Sequence, residues 1–432
     1  MIDLIVEKIS DIINNLLKFA DPGKILENAI AYREGIIGIG NREFNLRGYD
    51  RVVILGFGKA SYKMSTTLYK KILEYVDETY VIIDKRLKVD IQKGIKLYRG
   101  IHPIPDEYTS EYTQEILSNI GDLSERDLLI TLISGGGSAL FEQPYQHLKI
   151  SDIAPVWEKL LMSGADISEI NTVRRHLSNV KGGRLAEHIY KANILSLILS
   201  DVPGDRLHDI ASGPTAPDPT YYEEAYNIVR KYGLPIRMRA VRLLREAMYG
   251  KYRETPKEGH PAFSNTYNYI LANTGYVLDK LGEYLKSSGL KISIIDSNIS
   301  MTVEDLSNYI VRIALESREK YDVLLLGGET YTKVLGGGLG GPNQELILNI
   351  YRKAMKEGLD IEAIAISTDG IDGNSPAMGG YIDTGEYEVD EMEIVEYLKN
   401  SDSYSLLKKY RLTIEGGLTG TNLGDIWLIG LK

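Results

Sequence analysis

The segment LLITLISGGGSALFEQP, residues 128–144, joins an apolar run to three consecutive glycines. Its first seven residues form a continuous, β-rich run, which is typical of a strand covered by helices on both faces of a parallel sheet. Gly135, Gly136 and Gly137, the triple-glycine turn, lack a Cβ atom, so ordering them costs more conformational entropy than ordering other residues. Such a cost is expected where the backbone turns through positive φ or approaches another group closely. The segment therefore predicts a buried strand that ends in a functional turn.

Strand and helix patterns alternate along most of the chain. Further strands are predicted at 51–57, 79–84, 194–200, 267–272, 291–296, 321–327, 361–368 and 425–430. Helices are predicted between many of them, for example at 107–120, 220–232, 274–288 and 302–319. Alternation of this kind indicates a doubly wound α/β architecture with mostly parallel sheets flanked by helices.

A polar stretch at 249–265, with two prolines and many charges, predicts a domain boundary near residue 250. We therefore expect an N-terminal α/β domain at 1–250 and a C-terminal α/β domain at 251–432. The sequence does not decide which domain the amphipathic first helix joins.

Composition excludes several classes of function. The net charge of −10 disfavours a nucleic-acid partner, whose phosphates need a basic surface. No apolar run reaches the ~18 residues of a membrane span, and the N-terminus lacks a signal cleavage site, so we expect a cytoplasmic protein. The absence of cysteine excludes disulfides and thiol nucleophiles, and six histidines disfavour a histidine-rich metal site. Abundant tyrosine without cysteine suits a protein adapted to heat.

Polar and glycine-rich loops follow the predicted strands. In open α/β sheets, ligands bind outside the carboxyl ends of the strands. Here those ends read GFGKAS (56–61), SGGGSA (134–139), SDVPGD (200–205), GGET (327–330) and STDGIDG (367–373). The pattern predicts an active site built from many loops, in the cleft between the two domains.

GFGKAS matches most of the dinucleotide-binding fingerprint, with Ser61 in its last position and Asp84 near the spacing of a ribose-binding acid. An NAD-dependent dehydrogenase of a small hydroxy acid is therefore one hypothesis. Lys59, however, opposes the dipole of the helix that follows unless it reaches a bound anion. An anion site, a dinucleotide site and a plain strand–helix turn all stay open at this point.

SGGGSA favours an anion site more strongly. Successive backbone N–H groups of a glycine turn can surround an anion, and Ser138 adds a hydroxyl donor. The Walker pattern of phosphate-binding loops occurs nowhere in the chain. Nucleotide phosphates would therefore be held by a loop of another kind.

A basic cluster lies at 171–189 in this otherwise acidic chain. Helical spacing puts Arg174 and Lys181 on one face, while Arg175 points about 100° away from Arg174. Arginine binds carboxylates and phosphates through two parallel hydrogen bonds. A solvated basic helix is the alternative interpretation.

Acidic residues follow other strands. Asp201, Asp205 and Asp209 lie on one loop, where carboxylates could bind Mg²⁺ or accept a hydroxyl proton. In the C-terminal half, Pro342 is expected to begin a helix after a glycine loop. The first turn of that helix holds Asn343, Gln344 and Glu345, and a further strand end holds Asp369 and Asp372. Each loop taken alone is also compatible with a surface connection.

These motifs, together with NTVRRHLSNVKGG, LSDVPGDRLHDIASGPTAPD, GGPNQE and GTNLGD, occur in the order found in one enzyme family. From about residue 10 to its end, the chain resembles glycerate 2-kinases of the class with a C-terminal MOFRL domain. The resemblance implies a Rossmann-like N-terminal domain, a C-terminal domain with the MOFRL region, and an active site between them. It also implies ATP- and Mg²⁺-dependent phosphorylation of the 2-hydroxyl of D-glycerate, giving 2-phosphoglycerate.

One residue departs from the family pattern. The family often has an arginine before Asn-Gln-Glu, where this chain has Pro342. Arg174 or Lys59 could take over its role.

The resemblance supplies a hypothesis for the role of each motif. Catalysis is assigned to Lys59, Asp201 and Arg174. Substrate binding is assigned to Ser134, Arg174, Arg175 and Lys181. Nucleotide binding is assigned to Gly58, Gly135, Gly136, Gly137, Ser138, Gly328, Glu329, Gly338, Gly340, Gly341, Asn343 and Gln344. Mg²⁺ is assigned to Asp201, Asp205 and Asp369.

The biological setting is an expectation of the same kind. Small-molecule substrates are expected, the oligomeric state stays open with a homodimer as one hypothesis, and a modified Entner–Doudoroff pathway in a heat-loving archaeon would fit. A non-catalytic sensor, which binds a ligand without turnover, is a third hypothesis beside the kinase and the dehydrogenase.

Overall fold

The computed structural model describes residues 8–432. The chain forms two compact units. The first unit comprises Pro22–Leu199 and Asp205–Leu271, and the second unit comprises residues 8–21 together with Ser200–Gly204 and Ala272–Lys432. The division differs from the predicted boundary near 250, because the strand at Thr266–Ala272 belongs to the sheet of the first unit. The N-terminal helix joins the second unit.

The first unit contains nine strands. They are β1 (Ala31–Arg33), β2 (Ile36–Ile39), β3 (Arg42–Asn45), β4 (Arg51–Phe57), β5 (Glu78–Asp84), β6 (Lys96–Gly100), β7 (Asp127–Ile133), β8 (Asn193–Leu199) and β9 (Thr266–Ala272). Strands β4 to β9 build a six-stranded sheet in the order β6-β5-β4-β7-β8-β9. The pairings from β6 to β8 are parallel. The predicted parallel sheet is therefore confirmed for this unit.

Helices cover this sheet. They are α2 (Pro22–Ala29), α3 (Ser61–Ile72), α4 (Glu107–Ile120), α5 (Gly137–Leu140), α6 (Ile150–Met162), α7 (Ile167–Leu177), α8 (Arg184–His188), α9 (Tyr222–Lys231) and α10 (Arg239–Met248), while α1 (Ile9–Phe19) belongs to the second unit. Local sequence explains where α7 begins, because the Asp166 side chain accepts a hydrogen bond from Ser168 N and the Glu169 side chain accepts one from Asp166 N.

Strands β1, β2 and β3 form a small antiparallel sheet that the sequence analysis did not predict. Phe44 meets the ring of Tyr267 edge-on at 5.6 Å, and the guanidinium of Arg42 lies 4.2 Å from the centre of the same ring. Tyr267 lies on β9, the edge strand of the large sheet. The small sheet therefore contacts an edge that would otherwise be open to pairing.

The second unit contains six strands, β10 (Ile292–Thr302), β11 (Val323–Tyr331), β12 (Ile361–Ser367), β13 (Ala377–Asp383), β14 (Thr413–Glu415) and β15 (Asp425–Leu431). Their order is β10-β11-β15-β12-β13-β14, and only β10 and β11 pair in parallel. The α/β class is confirmed, but this sheet is mixed rather than mostly parallel. A continuous apolar run indicates burial on both faces and does not encode strand direction.

Helices α11 (Thr274–Ser287), α12 (Val303–Ser317), α13 (Pro342–Glu357), α14 (Glu391–Lys399) and α15 (Ser403–Lys409) complete the second unit. Pro342 occupies the first helical position of α13, as predicted. No helix in the described part of the chain combines the length and the apolar character that crossing a bilayer requires.

Candidate active site

Lys59 and the triple-glycine turn lie side by side in the first unit. They follow β4 and β7, which are parallel neighbours, so both turns leave the same edge of the sheet. Lys59 N donates to Gly135 O at 2.9 Å. Gly136 has φ of +81°, and a Cβ atom at this position would lie 3.3 Å from both Lys59 Cγ and His102 Cδ2. The lysine predicted to face an anion therefore packs against the turn predicted to surround one.

Ser134 ties these two turns together. Its side chain is fully buried, and its Oγ accepts a hydrogen bond from Ala60 N at 3.0 Å. Gly58 has φ of +116°, and a Cβ atom there would come within 2.4 Å of Ser134 Oγ. Ser134 was predicted to bind substrate, but its hydroxyl oxygen serves as an internal acceptor that fixes the loop of Lys59.

A strained segment supports the triple-glycine turn from the other side. Ala211 and Ser212 both adopt left-handed φ values, +49° and +60°, followed by Gly213 at +66°. Two successive non-glycine residues in this region cost conformational energy that the surrounding packing must offset. A Cβ atom on Gly137 would lie 2.8 Å from Ala211 Cβ. Strain of this kind is typical of functional sites.

The same segment carries a chain of polar side chains. Ser138 Oγ lies 3.0 Å from Ser212 Oγ, which donates to Asn171 Oδ1 at 3.1 Å. Asn171 lies on α7, three residues before Arg174. Sequence analysis missed Asn171 and Ser212, since nothing in the local sequence marks a left-handed serine. The chain links the triple-glycine turn to the helix that carries the basic cluster.

Arg174 is a buried cation that forms no ion pair with any residue that the structure describes. The residue is 9% exposed, and its guanidinium carbon lies 5.3 Å from the centre of the Trp157 ring. Its Nε has no hydrogen-bond partner, and no carboxylate within residues 8–432 lies at salt-bridge distance from it. Burial lowers the pKa of Arg174 to about 10, and the negative charge of Glu142 opposes that fall. A buried charge left in this condition indicates a site for an incoming anion.

Arg175 and Lys181 differ from Arg174. Arg175 Nη1 lies 3.1 Å from Asp209 Oδ1, and its Nε lies 2.9 Å from Asp218 Oδ1. Lys181 Nζ lies 2.5 Å from a carboxylate oxygen of Glu142. Both predicted substrate ligands are therefore already paired with buried acids. Among these three side chains, Arg174 is the one whose charge no ion pair in the described chain neutralises.

The carboxylate predicted to bind a ribose is also occupied. Asp84 Oδ1 accepts from Arg86 Nε at 2.9 Å, and Asp84 Oδ2 accepts from Arg86 Nη2 at 2.7 Å. This two-point pair lowers the pKa of Asp84, although burial opposes the shift. The geometry gives the dinucleotide interpretation no support.

In the second unit, the first turn of α13 is capped by a distant acid. Asp372 Oδ1 accepts from Asn343 N at 3.0 Å, and Asp372 Oδ2 accepts from Gln344 N and Gln344 Nε2, both at 2.8 Å. A Cβ atom on Gly341 would come within 2.3 Å of Asp372. Gly341, Asn343 and Gln344 were predicted to bind nucleotide. Here Gly341 leaves room for Asp372, and Asn343 and Gln344 donate to it, while the nucleotide-binding assignment stays a prediction.

Asn343 stands between two buried acids. Trp427 Nε1 donates to Asn343 Oδ1 at 2.8 Å, so the amide nitrogen of Asn343 faces Asp372 at 3.3 Å. Burial raises the pKa of Asp372 to about 6 in spite of these donors. Burial also raises the pKa of Asp425, and the charges of Asp372, Glu329 and Asp369 add to the shift. The second unit therefore concentrates negative charge at the ends of its strands.

The three acids assigned to Mg²⁺ do not form a preformed site. Asp201 lies in the second unit and accepts from Asn422 Nδ2 at 2.5 Å, whereas Asp205 lies in the first unit with φ of +52°. Asp369 Oδ1 accepts from Ser367 Oγ and from Ile371 N, both at 3.0 Å. Within residues 8–432, no three histidine or acidic side chains are arranged to hold a metal ion.

The glycine loop before α13 is a packing feature. Gly338 N donates to Asn400 O, and Gly340 N donates to Asn374 Oδ1, both at 2.9 Å. A Cβ atom would lie 2.4 Å from Asp402 Cβ at Gly338 and 2.2 Å from Ser403 Oγ at Gly340. Both amides predicted to bind nucleotide donate within the protein here, and their assignment to nucleotide stays a prediction.

Gly328 is likewise required by packing. Its φ is +149°, and a Cβ atom would lie 2.1 Å from the carbonyl oxygen of Ile299 on β10. The adjacent Glu329 is exposed, so its assignment stays a prediction.

Comparison with known proteins adds the family. Residues 8–245 match a domain of unknown function, DUF4147, and residues 322–425 match the MOFRL family. The chain is 36% identical over 392 residues to a D-glycerate 2-kinase from Thermotoga maritima, covering 88% of this chain and 91% of that protein. It is 36% identical over 429 residues to a glycerate 2-kinase from Pyrococcus horikoshii, covering 96% and 94%. The chain belongs to the glycerate 2-kinase family.

A solved structure supports the same family at the level of the fold. The crystal structure of a glycerate kinase from Thermotoga maritima matches this glycerate 2-kinase family member with a TM-score of 0.80. The match covers 98% of both chains at 32% sequence identity. The resemblance inferred from the motifs is therefore confirmed, and so is the α/β class.

Proposed function

We propose that the protein transfers the γ-phosphoryl group of ATP to the 2-hydroxyl of D-glycerate, with Mg²⁺, and forms 2-phosphoglycerate. The observation that carries this proposal is the buried guanidinium of Arg174, which has no ion pair in the described chain. Glycerate presents one carboxylate, which is the group that a guanidinium binds best through two parallel hydrogen bonds. The similarity to glycerate 2-kinases suggests glycerate as the substrate, and Arg174 would bind the carboxylate of glycerate.

Phosphoryl transfer requires alignment of the acceptor hydroxyl with the phosphoryl group and positive charge near the oxygens that carry negative charge. Lys59 packs against Gly136, at the turn best suited to a phosphate group. In this proposal Lys59 stabilises the transferring phosphoryl group, while the triple-glycine turn and Ser138 hold the nucleotide phosphates. Pro342 stands where the family often has an arginine. In this proposal the cations of the first unit therefore supply most of the positive charge near the transferring phosphoryl group.

Mg²⁺ fits the chemistry of the second unit. Burial, together with the negative charges of Asp372, Glu329 and Asp369, raises the pKa of Asp425, and a cation would relieve the repulsion among these carboxylates. Asp201, Asp205 and Asp369 are the carboxylates assigned to the ion, and Asp201 or Asp205 stays the alternative acceptor of the hydroxyl proton. When bound, Mg²⁺ would neutralise charge on the nucleotide phosphates.

The product identifies the reaction. ³¹P NMR of a mixture of the protein with D-glycerate, ATP and Mg²⁺ is expected to show ADP and the phosphomonoester resonance of 2-phosphoglycerate growing together. Omitting glycerate should leave ATP intact. A resonance of 3-phosphoglycerate would contradict the proposed acceptor hydroxyl, and unchanged ATP with glycerate present would contradict the reaction.

A further inference from the structure

Three charged side chains are buried together beside α7. Lys181 Nζ lies 2.5 Å from Glu142 Oε2 and donates to Phe141 O at 3.0 Å. Lys181 and Glu142 are fully buried, and Arg174 is 9% exposed. Arg174 and Lys181 each interact electrostatically with Glu142 and with one another. We call these three residues the Arg174 cluster.

The cluster holds one unmatched positive charge. It contains two cations and one carboxylate, which leaves a net charge of +1. Burying an unbalanced charge is costly, so a buried cluster of this composition is stabilised by one further negative charge. A substrate with a single carboxylate supplies that charge, whereas a dianion would overcompensate it.

The hydrogen bonds of the cluster are also incomplete. Glu142 Oε1 and Arg174 Nε are both buried, and neither has a hydrogen-bond partner among residues 8–432. One oxygen of Glu142 is held by Lys181, yet the other is not hydrogen-bonded to Arg174. Lys181 therefore competes with Arg174 for the only carboxylate of the cluster, and the Arg174 guanidinium keeps its charge unpaired among the residues that the structure describes.

We propose that Glu142 and Lys181 are positioning residues that fix the Arg174 cluster at a net charge of +1, so that it accepts monocarboxylates in preference to dianions. The inference rests on the proposed function, in which Arg174 binds the carboxylate of the substrate. Lys181 prevents Arg174 from being neutralised within the protein, and Glu142 prevents the cluster from attracting a second negative charge.

Three variants change the charge by known amounts. Lys181→Met sets the cluster at 0, Glu142→Gln sets it at +2, and the double variant restores +1. In Lys181→Met, Arg174 should pair with Glu142 and raise KM for glycerate by roughly tenfold or more, with KM for ATP unchanged. The double variant should return KM for glycerate to within about threefold of the wild type. A purely structural role predicts the opposite, since removing two buried groups harms packing at least as much as removing one.

Inhibition tests the preference for a monoanion. Hydroxymalonate resembles glycerate but carries two carboxylates. The inhibition ratio is the strength of inhibition by hydroxymalonate divided by that by lactate, a monoanionic competitor. This ratio should be about tenfold higher in Glu142→Gln than in the wild type. In the double variant the ratio should return to the wild-type value. Equal inhibition ratios in all three proteins would overturn the proposal, as would a double variant whose KM for glycerate is as high as that of Lys181→Met.

Thermal unfolding establishes that each variant is folded. Lys432→Met is a matched control, because Lys432 Nζ lies 2.6 Å from Asp383 Oδ2 and 3.4 Å from Glu362 Oε1, both buried. It should lose stability without changing KM for glycerate. If Lys181→Met does not fold, the proposal is tested by comparing Glu142→Gln with the double variant. The stronger inhibition by hydroxymalonate in Glu142→Gln must then be absent from the double variant.

Arg174→Gln separates this inference from the proposed function. An unchanged KM for glycerate in Arg174→Gln would refute Arg174 as the carboxylate ligand and with it the basis of the inference. If KM for glycerate is raised in Arg174→Gln but is not restored in the Lys181→Met, Glu142→Gln double variant, the proposed role of the net charge is refuted and the proposed function is not.

Discussion

The turns of the first unit and the acidic loops of the second unit bury charge of opposite sign in different ways. In the first unit, Arg175 and Lys181 are paired with carboxylates, and Arg174 pairs with none in the described part of the chain. In the second unit, Asp372 and Asp425 are buried among amides, backbone N–H groups and other acids. The comparison shows that residue type and position do not distinguish a ligand-binding charge from a structural one. The two are distinguished by the partners that each charge has within the protein.

The largest expected effect concerns Lys59, which faces the triple-glycine turn. Lys59→Met should lower kcat by roughly two orders of magnitude or more, because a positioned charge near the transferring phosphoryl group is lost. Lys63→Met, one turn further along α3 and exposed, is the matched control and should leave kcat unchanged. Steady-state kinetics would refute this role of Lys59 if only KM rose.

The second expected effect compares two adjacent arginines. Arg174→Gln should raise KM for glycerate by roughly ten- to hundredfold, with KM for ATP unchanged, because the carboxylate loses its charged partner. Arg175→Gln should instead lower the free energy of unfolding by about 3–5 kcal/mol, since buried Asp218 loses its arginine partner and Asp209 keeps only the partly exposed Arg206 at 2.8 Å and His208 at 3.6 Å. Initial-rate kinetics and urea unfolding on both variants test the contrast. A KM effect confined to Arg175→Gln would reverse the assignment.

The third expected effect concerns pH in the second unit. The pKa of Asp372 rises from 3.8 to about 6 on folding, so the folded protein binds more protons between these values. Stability should therefore fall as pH rises from about 4 to about 6. Asp372→Asn should remove the contribution of Asp372 to this pH dependence, which is on the order of 3 kcal/mol in the free energy of unfolding.

Urea unfolding at pH 4 and pH 7 without Mg²⁺ measures the difference. Asp279→Asn, an exposed acid, is the control and should keep the wild-type dependence. If the dependence on pH were the same in Asp372→Asn as in the wild type, Asp372 would not bind the additional proton.

The smallest expected effects concern the glycine loop before α13. Gly340→Ala should cost about 1–3 kcal/mol of stability, because its Cβ would lie 2.2 Å from Ser403 Oγ. Gly337→Ala has nothing within 4 Å of the added atom and should change stability by less than about 0.5 kcal/mol. Neither should alter KM for ATP in the fraction of protein that is folded. A KM effect of Gly337→Ala would show that the loop contacts nucleotide after all.

Strand positions could be predicted because a buried strand needs a continuous apolar run. The run predicted at 51–57 is β4, and the run predicted at 425–430 is β15 apart from one residue. Strand direction in the second unit could not be predicted, since burial on both faces is compatible with either direction. The three short strands at Ala31–Asn45 were missed because three or four residues carry too little periodicity.

Part of the site could be predicted in the same way. The sequence predicted that Lys59 and the triple-glycine turn each follow a strand, and the structure adds that these strands are parallel neighbours. The choice between Arg174 and Arg175 depended on partners that lie elsewhere in the chain. Asp372 lies 29 residues after Asn343, and no local pattern in the sequence shows that Asp372 caps helix α13.

The central claim is that Arg174 receives the carboxylate of glycerate. A crystal structure of the protein with D-glycerate tests it most directly. The account predicts carboxylate oxygens within about 3 Å of the Arg174 guanidinium, with Lys181 still paired to Glu142. A carboxylate bound to Arg175 or Lys181, or bound away from α7, would contradict it.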